Sequence, residues 1–158
     1  MTRVKICGIT RLEDALAAAR AGADAIGMIF CESPRRIDPG RAREIARRLP
    51  PFVAAVGVFA GSPPEEVVAV AREVGLSAVQ LHGGESPEVV REVARAAKVI
   101  KSVRVRDQAS LSGLEAFEDA SAFLFDAHAD GALGGTGRTF NWALLEGVLG
   151  RLDKPWIL

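Results

Sequence analysis

Seven apolar, largely β-branched runs recur along the chain at intervals of about 25 residues, and between them lie segments with helical period. The runs cover 4–7, 25–30, 53–59, 78–81, 99–103, 122–125 and 155–158. They are mostly continuous rather than alternating, the pattern of parallel strands covered on both faces. The intervening segments 12–21, 39–49, 63–74 and 87–97 read as helices, with weaker ones at 111–117 and 142–149. Thr10 with Glu13 and Ser62 with Glu65 have capping-box spacing, and Asp38-Pro39 and Ser86-Pro87 set a cap before a first-turn proline. Asn141 is the expected cap of the last helix. Strict βα alternation requires a parallel sheet with right-handed crossovers, in one domain spanning 1–158.

Two architectures satisfy that alternation. A doubly wound open sheet suits 158 residues, whereas a closed (β/α)₈ barrel usually needs about 200 or more. The first βα turn, Cys7-Gly8-Ile9-Thr10, is neither G-x-G-x-x-G nor a Walker loop, which argues against a nucleotide there.

Composition narrows the function classes. Twenty basic residues balance twenty acidic ones, so no net field draws the chain to nucleic acid or anionic lipid. No apolar run reaches the length of a membrane span, and the N-terminus enters a strand too soon for a signal peptide, so the expected compartment is the cytoplasm. The two cysteines, Cys7 and Cys31, lack CxxC spacing, and no third ligand stands near His82 or His128 at zinc spacing, so no metal is expected.

In either parallel fold the chemistry sits at the carboxyl ends of the strands. The polar residues there are Cys7, the Ser33-Pro34-Arg35-Arg36 loop, His82, Asp126 and the segment Gly131 to Gly137. Cys7 precedes a helix start whose positive end favours thiolate, although a free cysteine is also commonly a small buried hydrophobe. Asp126 is either a turn residue or a partly desolvated carboxyl with a raised pKa, fit to act as a general acid. Arg35 and Arg36 can grip a carboxylate or simply be solvated. Gly134 and Gly135, in Gly134-Gly135-Thr136-Gly137-Arg138, can cradle phosphate on backbone N–H groups or belong to a loop that folds over the pocket.

Taken together, Val4-Lys5-Ile6-Cys7-Gly8-Ile9-Thr10, Gly22-Ala23-Asp24-Ala25-Ile26-Gly27, Ser33-Pro34-Arg35, Val56-Gly57-Val58-Phe59, Val79-Gln80-Leu81-His82-Gly83, and Phe125-Asp126 followed by Gly134-Gly135-Thr136-Gly137 resemble the phosphoribosylanthranilate isomerases of tryptophan biosynthesis. The resemblance implies a (β/α)₈ barrel of which this chain ends within strand seven, the C-terminal quarter being absent. It also implies a cofactor-free Amadori rearrangement of N-(5-phosphoribosyl)anthranilate, with Asp126 as general acid and Cys7 as general base. Arg35 would face the anthranilate end of the substrate, Arg36 being the weaker choice, and His82 and the Gly134-Gly135 turn would line the pocket. The family's phosphate turns follow strands seven and eight, so no residue here matches them. The implied partner is a small phosphorylated sugar-anthranilate, with the protein a monomer or homodimer. The competing expectation is an inactive barrel fragment that associates through bare strand edges. Related sugar-phosphate barrels of indole or histidine biosynthesis use Lys, Glu or paired Asp at the strand ends instead.

Overall fold

Each apolar run becomes a strand and each periodic segment packs back over the sheet, in a computed structural model that describes residues 2–127 and 139–158. The strands are β1 (Lys5–Cys7), β2 (Ala25–Ile29), β3 (Ala54–Phe59), β4 (Ala78–Leu81), β5 (Val99–Val105), β6 (Ala122–Ala127) and β7 (Trp156–Ile157). All six pairings are parallel, and the spatial order is β1 through β7 without a crossover. A doubly wound sheet reverses direction at a switch point; this one never does. The open-sheet alternative is therefore wrong, for a reason chain length could not reveal: every connection adds its strand on the same side.

The helices are α1 (Leu12–Arg20), α2 (Pro39–Ala46), α3 (Pro64–Val74), α4 (Pro87–Ala94) and α5 (Ala143–Leu149). Their buried residues follow the helical repeat, as in Val67, Ala71 and Val74 of α3 or Val90 and Val93 of α4. These meet the outward side chains of the sheet, including Ile26, Met28, Phe59, Val79, Leu81, Phe123 and Phe125, in one core. Full burial of each such aliphatic or aromatic side chain is worth about 1.5–3 kcal/mol.

Capping is only partly as the sequence suggests. Asp38 caps α2 and accepts from the Arg41 N–H at 2.9 Å; Asn141 accepts from the Ala143 N–H at 3.1 Å, but the cap of α5 is Trp142. The helix caps next to Thr10 and Ser62 are instead Arg11 and Pro63, neither with a side-chain bond, so both expected capping boxes fail; Ser86 caps α4 by position alone. The weak helix expected over 111–117 is two short 3₁₀ turns, Gln108–Leu111 and Leu114–Ala116, separated by Gly113 at φ +75°. A left-handed glycine there breaks the helical run.

Because paired residues of a parallel ladder share a face, the register divides the strands into two sets. The concave set contains Lys5, Cys7, Gly27, Val56, Val58, Gln80, Ser102, Arg104, Leu124 and Asp126. Lys101 belongs to the other face, level with Leu81 and Phe123. There its ammonium meets Glu85 Oε2 at 3.0 Å and Gly83 O at 2.8 Å. Glu85 Oε1 in turn accepts from the Gly61 and Gly83 N–H groups. This buried pair ties together the turns that follow β3 and β4, and so fixes the turn that carries His82.

Candidate active site

Cys7 closes β1, and the Gly8 and Ile9 N–H groups that follow it both donate to Gly27 O, at 2.9 and 3.0 Å. The turn is thereby pinned to β2. A Cβ on Gly27 would stand 2.8 Å from Cys7 Sγ, so the thiol lies against a position that only glycine leaves open. Cys7 is exposed, which removes the reading of a buried hydrophobe. Cys31 is half-buried, and burial pushes its thiol up, as suits a structural cysteine.

Arg35 reaches back over the same turn. Its Nη1 donates to Cys7 O at 3.2 Å, and a Cβ on Gly8 would meet that guanidinium at 2.5 Å. Gly8 has φ +86°, which disfavours any side chain there for a second reason. Arg36, by contrast, lines a groove with Phe30, Ile37 and Glu66 on the helix side. Of the two arginines it is thus Arg35, the one the resemblance names, whose guanidinium lies against the Cys7 turn.

His82 follows β4, its N–H bonded to Phe59 O at 2.8 Å, and its ring is buried. Its Nδ1 lies 2.8 Å from Gln80 Nε2, and its Nε2 lies 3.4 Å from Asp126 Oδ2. That second approach is within ion-pair reach but lacks hydrogen-bond geometry, leaving Nε2 without a partner among the described residues. Asp126 is the penultimate residue of β6, level with Arg104 and half-buried on the concave face. The neighbouring imidazole, against the opposing effect of burial and with help from Arg104, holds the Asp126 carboxyl below the ordinary carboxylate value. The raised pKa expected from desolvation is thus reversed, because the sequence could not show that cationic and N–H groups from β4 and β5 converge on this carboxyl.

Two residues missed in the sequence complete the cluster. Lys5, two positions before Cys7 on the same face, donates through Nζ to Gln80 Oε1. Burial lowers the affinity of Lys5 for its proton, while Cys7 and Asp126 oppose that effect. A polar residue two positions before Cys7 and before His82 was the available signal, hidden inside runs that looked largely apolar.

Gly134, Gly135 and His128 lie outside the described residues. Among those described, no group of three or more His, Cys, Asp or Glu is arranged to hold a metal ion, and no helix is long and apolar enough to cross a membrane. A cleft of about 710 Å³ between the 3₁₀ turns and α5, lined by residues such as Leu111, Leu114 and Val148, shares no residue with the cluster around Cys7 and Asp126.

A sequentially ordered parallel sheet with thiol, carboxyl, imidazole and guanidinium gathered at the carboxyl ends of its strands is a site of the (β/α)-barrel class. The comparisons make this specific. The family model described as N-(5'-phosphoribosyl)anthranilate (PRA) isomerase matches residues 4–158, and the chain belongs to that family. It is 54% identical to the N-(5'-phosphoribosyl)anthranilate isomerase of Rubrobacter xylanophilus over 95% of this chain and 74% of that one. The crystal structure of phosphoribosyl anthranilate isomerase from Thermotoga maritima superposes with a TM-score of 0.89 at 43% identity, covering 96% of this chain and 74% of that one. A third relative, solved in complex with reduced 1-(o-carboxyphenylamino)-1-deoxyribulose 5-phosphate, superposes with a TM-score of 0.84 at 41% identity over 96% of this chain and 72% of that one. The sheet is accordingly a curled, seven-stranded part of a barrel-like fold.

Proposed function

We propose that the chain catalyses the Amadori rearrangement of N-(5-phosphoribosyl)anthranilate to 1-(2-carboxyphenylamino)-1-deoxyribulose 5-phosphate in tryptophan biosynthesis, by general acid–base catalysis with Asp126 as acid and Cys7 as base. The observation that carries this reading is that Cys7 and Asp126, from the first and sixth strands, share one concave face, with Arg35 beside the first and His82 beside the second. The isomerase activity is what the family match and the relative solved with a product analogue support.

The carboxyl proton of Asp126 goes to the furanose ring oxygen. The C1–O bond breaks as the anilino nitrogen lone pair forms the C=N bond of a Schiff base. The Cys7 thiolate then removes the C2 proton, and the released electron pair gives an enolamine. Tautomerisation protonates C1 and leaves the ketone at C2, so atoms balance and no redox partner is needed. In the free chain the Asp126 carboxyl is held low. The substrate brings two anionic groups, its phosphate and its carboxylate, and like charge nearby raises a carboxyl's affinity for a proton. Substrate binding thus loads the acid that it needs. Arg35 is placed to take the anthranilate carboxylate, bidentately where geometry allows.

The finer architecture in this reading is a (β/α)₈ barrel whose eighth strand and phosphate-holding turns are not among these residues, supported by the sequential strand order. The substrate is a small phosphorylated sugar-anthranilate met in the cytoplasm. Turnover is tested by following loss of phosphoribosylanthranilate fluorescence with the protein, Cys7→Ser and Asp126→Asn. Each substitution is expected to lower kcat by about 10²–10⁴; full kcat in either variant removes that residue from the mechanism.

A further inference from the structure

Four side chains from three strands form one polarised line across the concave face. Lys5 Nζ bonds Gln80 Oε1, Gln80 Nε2 lies 2.8 Å from His82 Nδ1, and His82 Nε2 faces Asp126 Oδ2 at 3.4 Å. An ammonium can only donate, so the amide end that meets Lys5 is the oxygen. The other end is therefore the –NH₂, which also can only donate. His82 Nδ1 must accept, and the proton of a neutral imidazole then sits on Nε2, pointing at Asp126. Gln80 is 2% exposed and His82 6%, so water is not at hand to stabilise the reversed arrangement. The Nε2–H has no other partner among the described residues. Catalytic hydrogen bonds are often long without substrate and tighten when it binds.

We propose that Lys5 and Gln80 are positioning residues for the reaction: together they fix the His82 tautomer so that Nε2–H holds and orients the Asp126 carboxyl. The inference rests on the isomerase reading for its consequence in turnover, but the tautomer itself does not depend on that reading. Neither residue touches the reacting atoms. Lys5 acts through the amide, and the amide acts through the ring. Lys5 also stands two residues from Cys7 on the same strand face, so one cation acts on both the proposed base and the proposed acid.

The experiment is ¹⁵N NMR of the histidine rings in the full chain at about pH 8.5, where an imidazole is ordinarily neutral, with His128→Gln used to assign His82. The wild-type ring is expected to carry its proton on Nε2 and none on Nδ1. Gln80→Glu offers the ring an oxygen while keeping a partner for Lys5, so the proton is expected on Nδ1. With it, kcat should fall about tenfold or more and KM stay within about twofold. Lys5→Met frees the amide to turn, giving mixed tautomers and a similar loss of kcat; it serves if Gln80→Glu fails to fold. A wild-type proton on Nδ1, or an unmoved proton or undiminished kcat in the variants, overturns the proposal. Absence of wild-type turnover would remove the functional reading instead, whereas a wrong tautomer in an active wild-type chain overturns this inference alone.

Discussion

At the residue scale, the site depends on two glycines as much as on its titratable groups. Gly27 gives the Cys7 thiol its place, and Gly8 lets the Arg35 guanidinium lie flat over the β1 turn. Gly27→Ala puts a methyl 2.8 Å from Sγ, inside van der Waals contact. The strand can accept alanine, so the thiol must move. Misplacement of a reacting group by about 1 Å can cost about 10²-fold in rate. The expected outcome is a kcat loss of about that size with an unchanged far-ultraviolet circular dichroism spectrum and a Tm within about 5 °C of wild type. Retention of kcat would show that Cys7 does not need its observed position. Cys7, His82 and Asp126 stood out in the sequence because each sits where an apolar run stops, and Arg35 because it follows one in the Ser33-Pro34-Arg35-Arg36 loop. Lys5 and Gln80 were not, because a single polar residue inside a short apolar run reads as an ordinary interruption. The direction of the Asp126 shift was not legible either: it depends on His82 and Arg104, which come from other strands.

At the scale of elements, β4 and β5 carry the site on one face and its mechanical support on the other. Glu85 and Lys101 are 4% and 6% exposed at their side chains, and each of the Glu85 oxygens is engaged. Burial alone would raise the Glu85 carboxyl, but the Lys101 ammonium, the Glu85 backbone N–H and the Gly61 N–H outweigh it and leave it below its ordinary 4.5. A carboxyl held low stabilises the fold above its unfolded value, and that contribution disappears as pH falls through the folded value. Wild-type stability measured by urea unfolding is therefore expected to decline from about pH 4.5 downward through this pair. Glu85→Gln strands a buried ammonium and should cost about 3–5 kcal/mol at neutral pH. It should also lose the part of the acid decline that Glu85 supplies. A variant as stable as wild type would mean that the pair does not hold the two turns. Helix positions were legible because 3.6-residue periodicity is local, and so was the cap at Asp38; at Asn141 the boundary falls one residue later, on Trp142. The failed capping boxes at Thr10 and Ser62 show the limit of spacing: a side chain caps only when its backbone sits at the helix boundary, and here the boundary falls one residue later.

For the whole molecule, what matters is how the sheet is wound. Both β1 and β7 have one strand neighbour among the described residues, and Val4, Ile6, Trp156 and Leu158 are exposed beside them. The sequence by itself determined seven strands, five of the six expected helices between them, their parallel pairing and the strand ends at which chemistry could occur. All of these follow from periodicity and punctuation over a few residues. Only the tertiary structure decided that each strand adds on the same side, which curls the sheet and brings the ends of β1, β4 and β6 onto one concave face. It alone decided the polarity of the line from Lys5 to Asp126 and the sign of the Asp126 shift. Those properties arise from fields and hydrogen bonds between residues far apart in the chain, which no local pattern encodes.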